Sequence, residues 1–182
     1  GYDYDTIKYD SAGVQQWVAR YNGPGNSEDH ASAIVVDSLG NVYVTGDSLG
    51  IGMGLDYATI KYDSSGIEQW VSRYNGPGYG DDSGQAIAVD SSGNVYVTGY
   101  SVGIGTEYDC ATIKYNREGV QQWVTRYNGS VNGEDAANAI AVDSLGNIYV
   151  TGFSTESGLT LKGYVTIKYN SAGVEQWVKT YN

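Results

Sequence analysis

The chain has 182 residues, with Gly at 26 and Tyr at 18 against Pro at 2, Cys at 1 and Met at 1, a composition suited to many short strands joined by tight turns and a poor fit to a helical bundle. Ten basic against 21 acidic residues leave a formal net charge of −11. That disfavours nucleic acid and anionic membranes, which need clustered Lys and Arg, and leaves cationic ligands and metal ions open. A hydrophobic content of 41% with 13% aromatics is too rich for a disordered chain, and no apolar run approaches the roughly 18 residues of a membrane-spanning helix, so membrane insertion is not expected.

The segment ending Trp-Val-x-x-Tyr-Asn closes at Asn22, Asn75, Asn128 and Asn182, in steps of 53, 53 and 54 residues. Thr-Ile-Lys-Tyr at 6–9, 59–62, 112–115 and 166–169 reads as a strand, C. A short turn such as Asp63-Ser64-Ser65-Gly66 leads to Gln-Trp-Val at 16–18, 69–71, 122–124 and 176–178, strand D. Ala-Ile-x-Val-Asp at 33–37, 86–90 and 139–143 is strand A. After Ser-x-Gly-Asn comes Val/Ile-Tyr-Val-Thr-Gly at 42–46, 95–99 and 148–152, strand B. Asp and Ser start each tight turn through side-chain bonds to nearby backbone, and Gly accepts the positive φ it requires. A Gly-rich connection of about nine residues joins B to C, and the added residue of the last step is expected in the third of these, between Tyr149 and Thr166.

Four strands recurring at a fixed period of about 50 residues mark a propeller blade. A solenoid is the competing reading, but β-helix repeats are shorter and lack two hairpins per unit. The fold expected is all-β: a half-blade of strands C and D at 1–22, then four-stranded antiparallel blades at 23–75, 76–128 and 129–182. Trp17, Trp70, Trp123 and Trp177 are expected to fill the gap between the outer parts of adjacent blades, with the indole N–H reaching a carbonyl. Stacking on a ligand is the alternative. Cys110 stands where Tyr57 and Tyr164 stand in other repeats and reads as a buried filler.

The run Asp-Ser-x-Gly-Asn-Val/Ile-Tyr-Val-Thr-Gly, then Thr-Ile-Lys-Tyr, a Gly turn and Gln-Trp, resembles the bacterial beta-propeller repeat family known as SBBP, over almost the whole chain. The resemblance implies a propeller scaffold in large exported or cell-surface bacterial proteins, usually without an assigned activity. It supplies no catalytic residues to transfer.

Three full blades and a leading half are too few to close a ring, since propellers have about 4 to 8 blades. Two copies would leave two outer half-blades without inner halves. The simpler expectation is a segment of a longer repeat protein, in keeping with an opening at Gly1 without an initiator Met. The alternative is self-association, such as a fibre, through the open ends.

The A–B and C–D turns fall on one side of the disc, and the B–C and D–A connections on the other, where any ligand face is expected. There the acidic pairs Glu28-Asp29, Asp81-Asp82 and Glu134-Asp135 precede each strand A. They are candidates for Ca²⁺ or a cationic ligand, the only cofactor indicated, since hard cations need several oxygens. The competing role is bonding loop amides or pairing with a repeated base. Lys8, Lys61, Lys114 and Lys168, with Arg20, Arg73 and Arg126, are the expected counter-charges. The Asp ending strand A or opening a turn is a candidate partner, and Thr180 in the last repeat leaves one pairing absent. Tyr79, Tyr100, Tyr108 and Phe153, in or beside the connections, are candidates for stacking on sugar rings.

His30 is the only histidine, and no Gly-x-Ser-x-Gly elbow or relay accompanies it. Paired carboxylates keep a glycosidase as the weakest option. Asn128-Gly129-Ser130 is the one glycosylation sequon. The expected function is a non-enzymatic, extracytoplasmic or cell-surface scaffold that binds protein partners. A carbohydrate-binding or Ca²⁺-binding propeller is the alternative.

Overall fold

The repeated apolar runs become β1 (Tyr4–Tyr9), β2 (Gln15–Tyr21), β3 (Asp29–Val36), β4 (Val42–Leu49), β5 (Leu55–Tyr62), β6 (Glu68–Tyr74), β7 (Asp82–Val89), β8 (Val95–Val102), β9 (Tyr108–Tyr115), β10 (Gln121–Tyr127), β11 (Asp135–Val142), β12 (Ile148–Thr155), β13 (Lys162–Tyr169) and β14 (Glu175–Tyr181). The computed structural model describes residues 1–51, 54–155 and 162–181. All pairings are antiparallel between chain neighbours: β1-β2 forms a two-stranded sheet, and β3 to β6, β7 to β10 and β11 to β14 form three four-stranded ones. These are a half-blade and three blades of an all-β partial propeller.

The strands run further toward the B–C and D–A connections than the apolar pattern shows. Strand A starts at Asp29, Asp82 and Asp135, so these acids are strand residues and not loop residues. Pairing of Leu49 with Leu55 and of Val102 with Tyr108 shortens the first two B–C connections to 50–54 and 103–107, against the expected nine or so residues. Ladder hydrogen bonds use only the backbone, so polar residues such as Asp47 and Asp56 extend the sheet without an apolar signal. The third connection, 156–161, with its expected added residue, lies outside the described residues.

Each A–B turn is closed from within. Asp37 Oδ1 accepts the amides of Leu39 and Asn41, both at 2.9 Å, and Oδ2 accepts Asn41 Nδ2 and the Tyr43 hydroxyl. Asp90 and Asp143 repeat the pattern. A bulge follows in strand A, where Ser32, Gln85 and Asn138 are skipped in the pairing. It drives the backbone toward the glycine closing Val-Tyr-Val-Thr-Gly. A Cβ on Gly46, Gly99 or Gly152 would lie 1.9 Å from the carbonyl oxygen of His30, Ser83 or Ala136, and only glycine fits.

The core is three slabs between blades. Tyr4, Val42, Val44 and Ile60 fill the first, Tyr57, Val95, Val97 and Ile113 the second, and Cys110, Ile148, Val150 and Ile167 the third. Trp17, Trp70 and Trp123 lean onto the following blade. Their Nε1 atoms donate to the carbonyls of Ser64, Arg117 and Ser171 at 3.1, 3.1 and 3.3 Å, and their rings lie over the turn glycines Gly66, Gly119 and Gly173. Tyr4 and Tyr57 cross the same seams to the carbonyls of Ala58 and Ala111. Cys110 is a free, buried thiol in the corresponding slot, and burial raises its pKa.

The expected charge pairing is corrected. The aspartates ending strand A and opening the C–D turns hold their own turns, and among the described residues the repeated lysines take no carboxylate. Lys8, Lys61 and Lys114 donate to the carbonyls of Ser64, Arg117 and Ser171 in the next blade, while Lys61, Lys114 and Lys168 sit over Tyr43, Tyr96 and Tyr149 at 5.2 to 5.3 Å. The arginines pair with strand C: Arg20 with Asp5 at 2.8 Å, Arg73 with Asp56 at 2.9 Å and Arg126 with Asp109 at 2.8 Å. Arg73 and Arg126 also bond Ser48 and Ser101, and the hydroxyls of Tyr21 and Tyr74 in the preceding blade. In the last blade Thr180 meets Val165, and Gly163 stands opposite Ser154 where Asp56 and Asp109 face Ser48 and Ser101. Both partners are lost together, so no carboxylate is stranded.

Candidate functional site

Strand direction places the B–C and D–A connections on one side of the blades, with the three A strands side by side. On this side the members of each acidic pair part company. Asp29, Asp82 and Asp135 turn inward and accept the amides of Gly23, Gly76 and Gly129 at 2.8, 2.6 and 2.6 Å. These bonds close the D–A loops, which is a bracing role. Burial raises the pKa of Asp82 against the pull of Ser101, of the Gly76 and Val102 amides and of Arg126. Burial likewise raises that of Asp135. Glu28 is exposed, Asp81 accepts the Leu55 amide at 3.0 Å, and Glu134 pairs with Lys162. Among the described residues no three His, Cys, Asp or Glu side chains gather as a metal-holding group.

Three of the four aromatic candidates converge. Tyr100 and Tyr108, at the ends of β8 and β9 beside the B–C connection, meet edge to face with centroids 4.7 Å apart. Phe153, from β12 in the next blade, completes a cleft of about 230 Å³ with Glu134, Gln85 and Asn138. Gln85 and Asn138 are the bulge residues of β7 and β11, whose skipped pairing re-aims their side chains. Lys162 contacts two of these lining residues, with its Nζ 4.1 Å over the Phe153 ring and bonded to Glu134 Oε2. Tyr79 does not line the cleft. It stands 79% exposed at φ +54°, where Asn26 and Asn132 hold the matching left-handed positions in the other blades.

The aromatic residues of the cleft are not the repeated ones. The positions of Tyr100 and Tyr108 are held by Asp47 and Leu55 in the first blade and by Phe153 and Lys162 in the third. Between the first and second blades Asp47 is engaged: its Oδ2 lies 3.1 Å from His30 Nδ1 and its Oδ1 accepts the Ser83 hydroxyl at 2.9 Å. The carboxylate therefore separates histidine from serine. A nucleophile–base arrangement needs the histidine between them.

Asn128, of the sequon, is exposed, and its amide donates to Asn132 Oδ1 at 2.8 Å. Among the described residues no helix is long and apolar enough to cross a membrane.

The family model for the SBBP beta-propeller repeat matches residues 16–52, 69–104 and 122–159, more than half of the chain. The chain belongs to the SBBP beta-propeller repeat family. No curated protein matches it. Each SBBP match runs from strand D through the next A–B hairpin into the B–C connection, and stops short of strand C. Tyr108 and Lys162 thus lie outside the matched SBBP segments, while Tyr100, Gln85, Asn138, Glu134 and Phe153 lie within them at positions that differ from blade to blade.

Sequence reasoning singled out the aromatics and Glu134 but missed Gln85, Asn138 and Lys162. A readable signal existed in the polar residue recurring between small ones at Ser32, Gln85 and Asn138. Nothing along the chain marks Lys162, because its partners come from the residue before β11 and from β12.

Proposed function

We propose that the chain is a non-catalytic structural and interaction scaffold, a stretch of propeller in an extracytoplasmic or cell-surface bacterial protein that further repeats or neighbouring subunits complete. The carrying observation is a difference between equivalent residues. Ile34 and Val36 on β3 are 60% and 55% exposed, whereas Ile87, Val89, Ile140 and Val142 are covered by the blade before them to half-buried. β1 is paired only with β2, so a row of backbone donors and acceptors is open beside a hollow of about 290 Å³ lined by Thr6, Ile7, Tyr9, Ile34 and Val36. An A–B hairpin paired with β1 would satisfy that edge and cover the hollow. At the other end Tyr164 and Tyr181 stand 72% and 75% exposed, while the buried Tyr57 has the next blade against it.

Absence of catalysis is part of the proposal. It is supported by the single histidine and by the use of the inward carboxylates on loop amides. The family resemblance supports the location, which cell fractionation tests. Light scattering and hydrophobic-dye fluorescence over a concentration series test completion: the isolated chain is expected to bind dye and to associate as concentration rises. A clean monomer at high concentration with no dye binding rejects the proposal.

The cleft of Tyr100, Tyr108 and Phe153 favours a second reading, in which the face of the B–C and D–A connections binds a small ligand. The sugar-stacking and cationic-ligand expectations meet at this one place.

A further inference from the structure

We infer that the cleft between the second and third blades binds an organic ammonium ion, of the class of quaternary ammonium headgroups and methylated lysine side chains, and that Lys162 occupies its edge in competition with that ligand. The inference rests on the ligand-binding reading and names its ligand class.

Rings and charge point the same way. A cation is held over aromatic faces within about 6 Å of the centroid, by an attraction that grows as the site is desolvated. Here Tyr100, Tyr108 and Phe153 line one small cleft with a carboxylate, Glu134, on its wall. Two residues of the cleft already engage an ammonium group, because Lys162 Nζ lies over Phe153 and is bonded to Glu134. The lysine–tyrosine contacts recur from blade to blade between residues that face each other on strands B and C. Lys162 has no such repeat, its equivalents being Leu55 and Tyr108. Lys162 and Glu134 both remain partly exposed, at 45% and 41% of their side chains, so the pair is open to exchange.

The field favours a positive guest. The chain carries a net charge of −11. Beyond burial, which is the largest cause, Asp47 and Asp81 help raise the Tyr100 hydroxyl, and Asp81, Glu134 and Asp82 help raise that of Tyr108. Carboxylates around a cleft with apolar walls concentrate cations there. A neutral sugar could stack on the same rings and bond Gln85 and Asn138, but it would gain nothing from displacing an ammonium from Glu134. The volume of about 230 Å³ suits a compact ligand.

The test is isothermal calorimetry on the full chain with choline and Nε-trimethyllysine as cationic probes, and glucose and N-acetylglucosamine as neutral ones. Lys162→Met, with Lys162→Gln as a second version, removes the competitor and should tighten choline binding at least threefold. Tyr108→Ala should weaken it by about 3-fold to 30-fold, the range of one cation–π contact. Glu134→Gln should also weaken it. Circular dichroism confirms that each variant retains its strands. No heat from either cationic probe with the wild type and both Lys162 variants overturns the inference. So does a sugar bound equally by the wild type and Lys162→Met in the absence of choline binding, which would assign the cleft to saccharides. Self-association is read at the open ends, so its failure and the failure of choline binding are separate results.

Discussion

Substituting Gly119 by Ala isolates the contact that locks one blade to the next. Gly119 sits in the β9–β10 turn at φ +81°, and a Cβ there would come within 2.6 Å of the Trp70 ring. Gly93, in the β7–β8 turn of the same blade, has φ +82° and would bring its Cβ only to 3.4 Å from Arg117 Cβ, an ordinary contact. Both substitutions place alanine in the left-handed region at a cost of about 1–2 kcal/mol. At Gly119 the indole must also move. It gives up its 3.1 Å bond to the Arg117 carbonyl, about 0.5–1.5 kcal/mol, and its packing between Tyr43 and Tyr115, whose centroids lie 6.1 and 6.3 Å away, a further ~0.5–1.5 kcal/mol for each ring pair disturbed. Gly93→Ala should therefore destabilise by about 1–2 kcal/mol and Gly119→Ala by about 2.5–6.5 kcal/mol. Urea unfolding followed by both tryptophan fluorescence and circular dichroism measures the difference and checks that the transitions coincide. In a Trp70→Ala background the two glycine substitutions should cost the same. Equal losses in the wild-type background would refute the inter-blade role of the tryptophan.

Arg126→Thr should cost about 3–5 kcal/mol by leaving the buried Asp109 carboxylate unpaired, whereas Arg126→Thr with Asp109→Gly, the combination found in the last blade, should recover much of that loss in the same urea assay. Burial works to raise the pKa of Asp90, but its hydrogen bonds from the Asn94 side chain and amide, the Tyr96 hydroxyl and the Ser92 amide outweigh it and hold the carboxyl below its ordinary value. A lowered folded-state pKa gives stability that is present above the unfolded-state pKa and lost as pH falls through the folded one. Asp90→Asn should accordingly lower the melting temperature at pH 7 and narrow the gap to wild type as the pH drops toward 3; a gap constant with pH would contradict this. Cys110, buried and with its thiol pKa raised by burial, should react with a thiol reagent only as fast as the chain opens, so rapid labelling of the folded protein would disprove its placement.

The sequence by itself determined the blade. A period near 53 residues, with turn residues at Asp37-Ser38 and Gly40-Asn41 and apolar runs between them, fixes four strands and two tight hairpins per unit, because turn chemistry and side-chain alternation are local properties. It also marked Trp70 as a filler and Cys110 as buried, since a repeat exposes which residues occupy equivalent slots. Strand ends were less legible, because Asp29 and Asp47 pair through backbone alone. Only the tertiary structure decided where charges go: Arg73 meets Asp56 on the neighbouring strand and Tyr21 in the preceding blade, pairings that no one-dimensional pattern encodes. The cleft belongs to the same class. Tyr100 and Tyr108 come from one blade, Glu134 and Phe153 from the next, and Gln85 and Asn138 point into it because a bulge skips each of them in the ladder. Local sequence sets each blade, and the packing of one blade on another sets what the blades can hold between them.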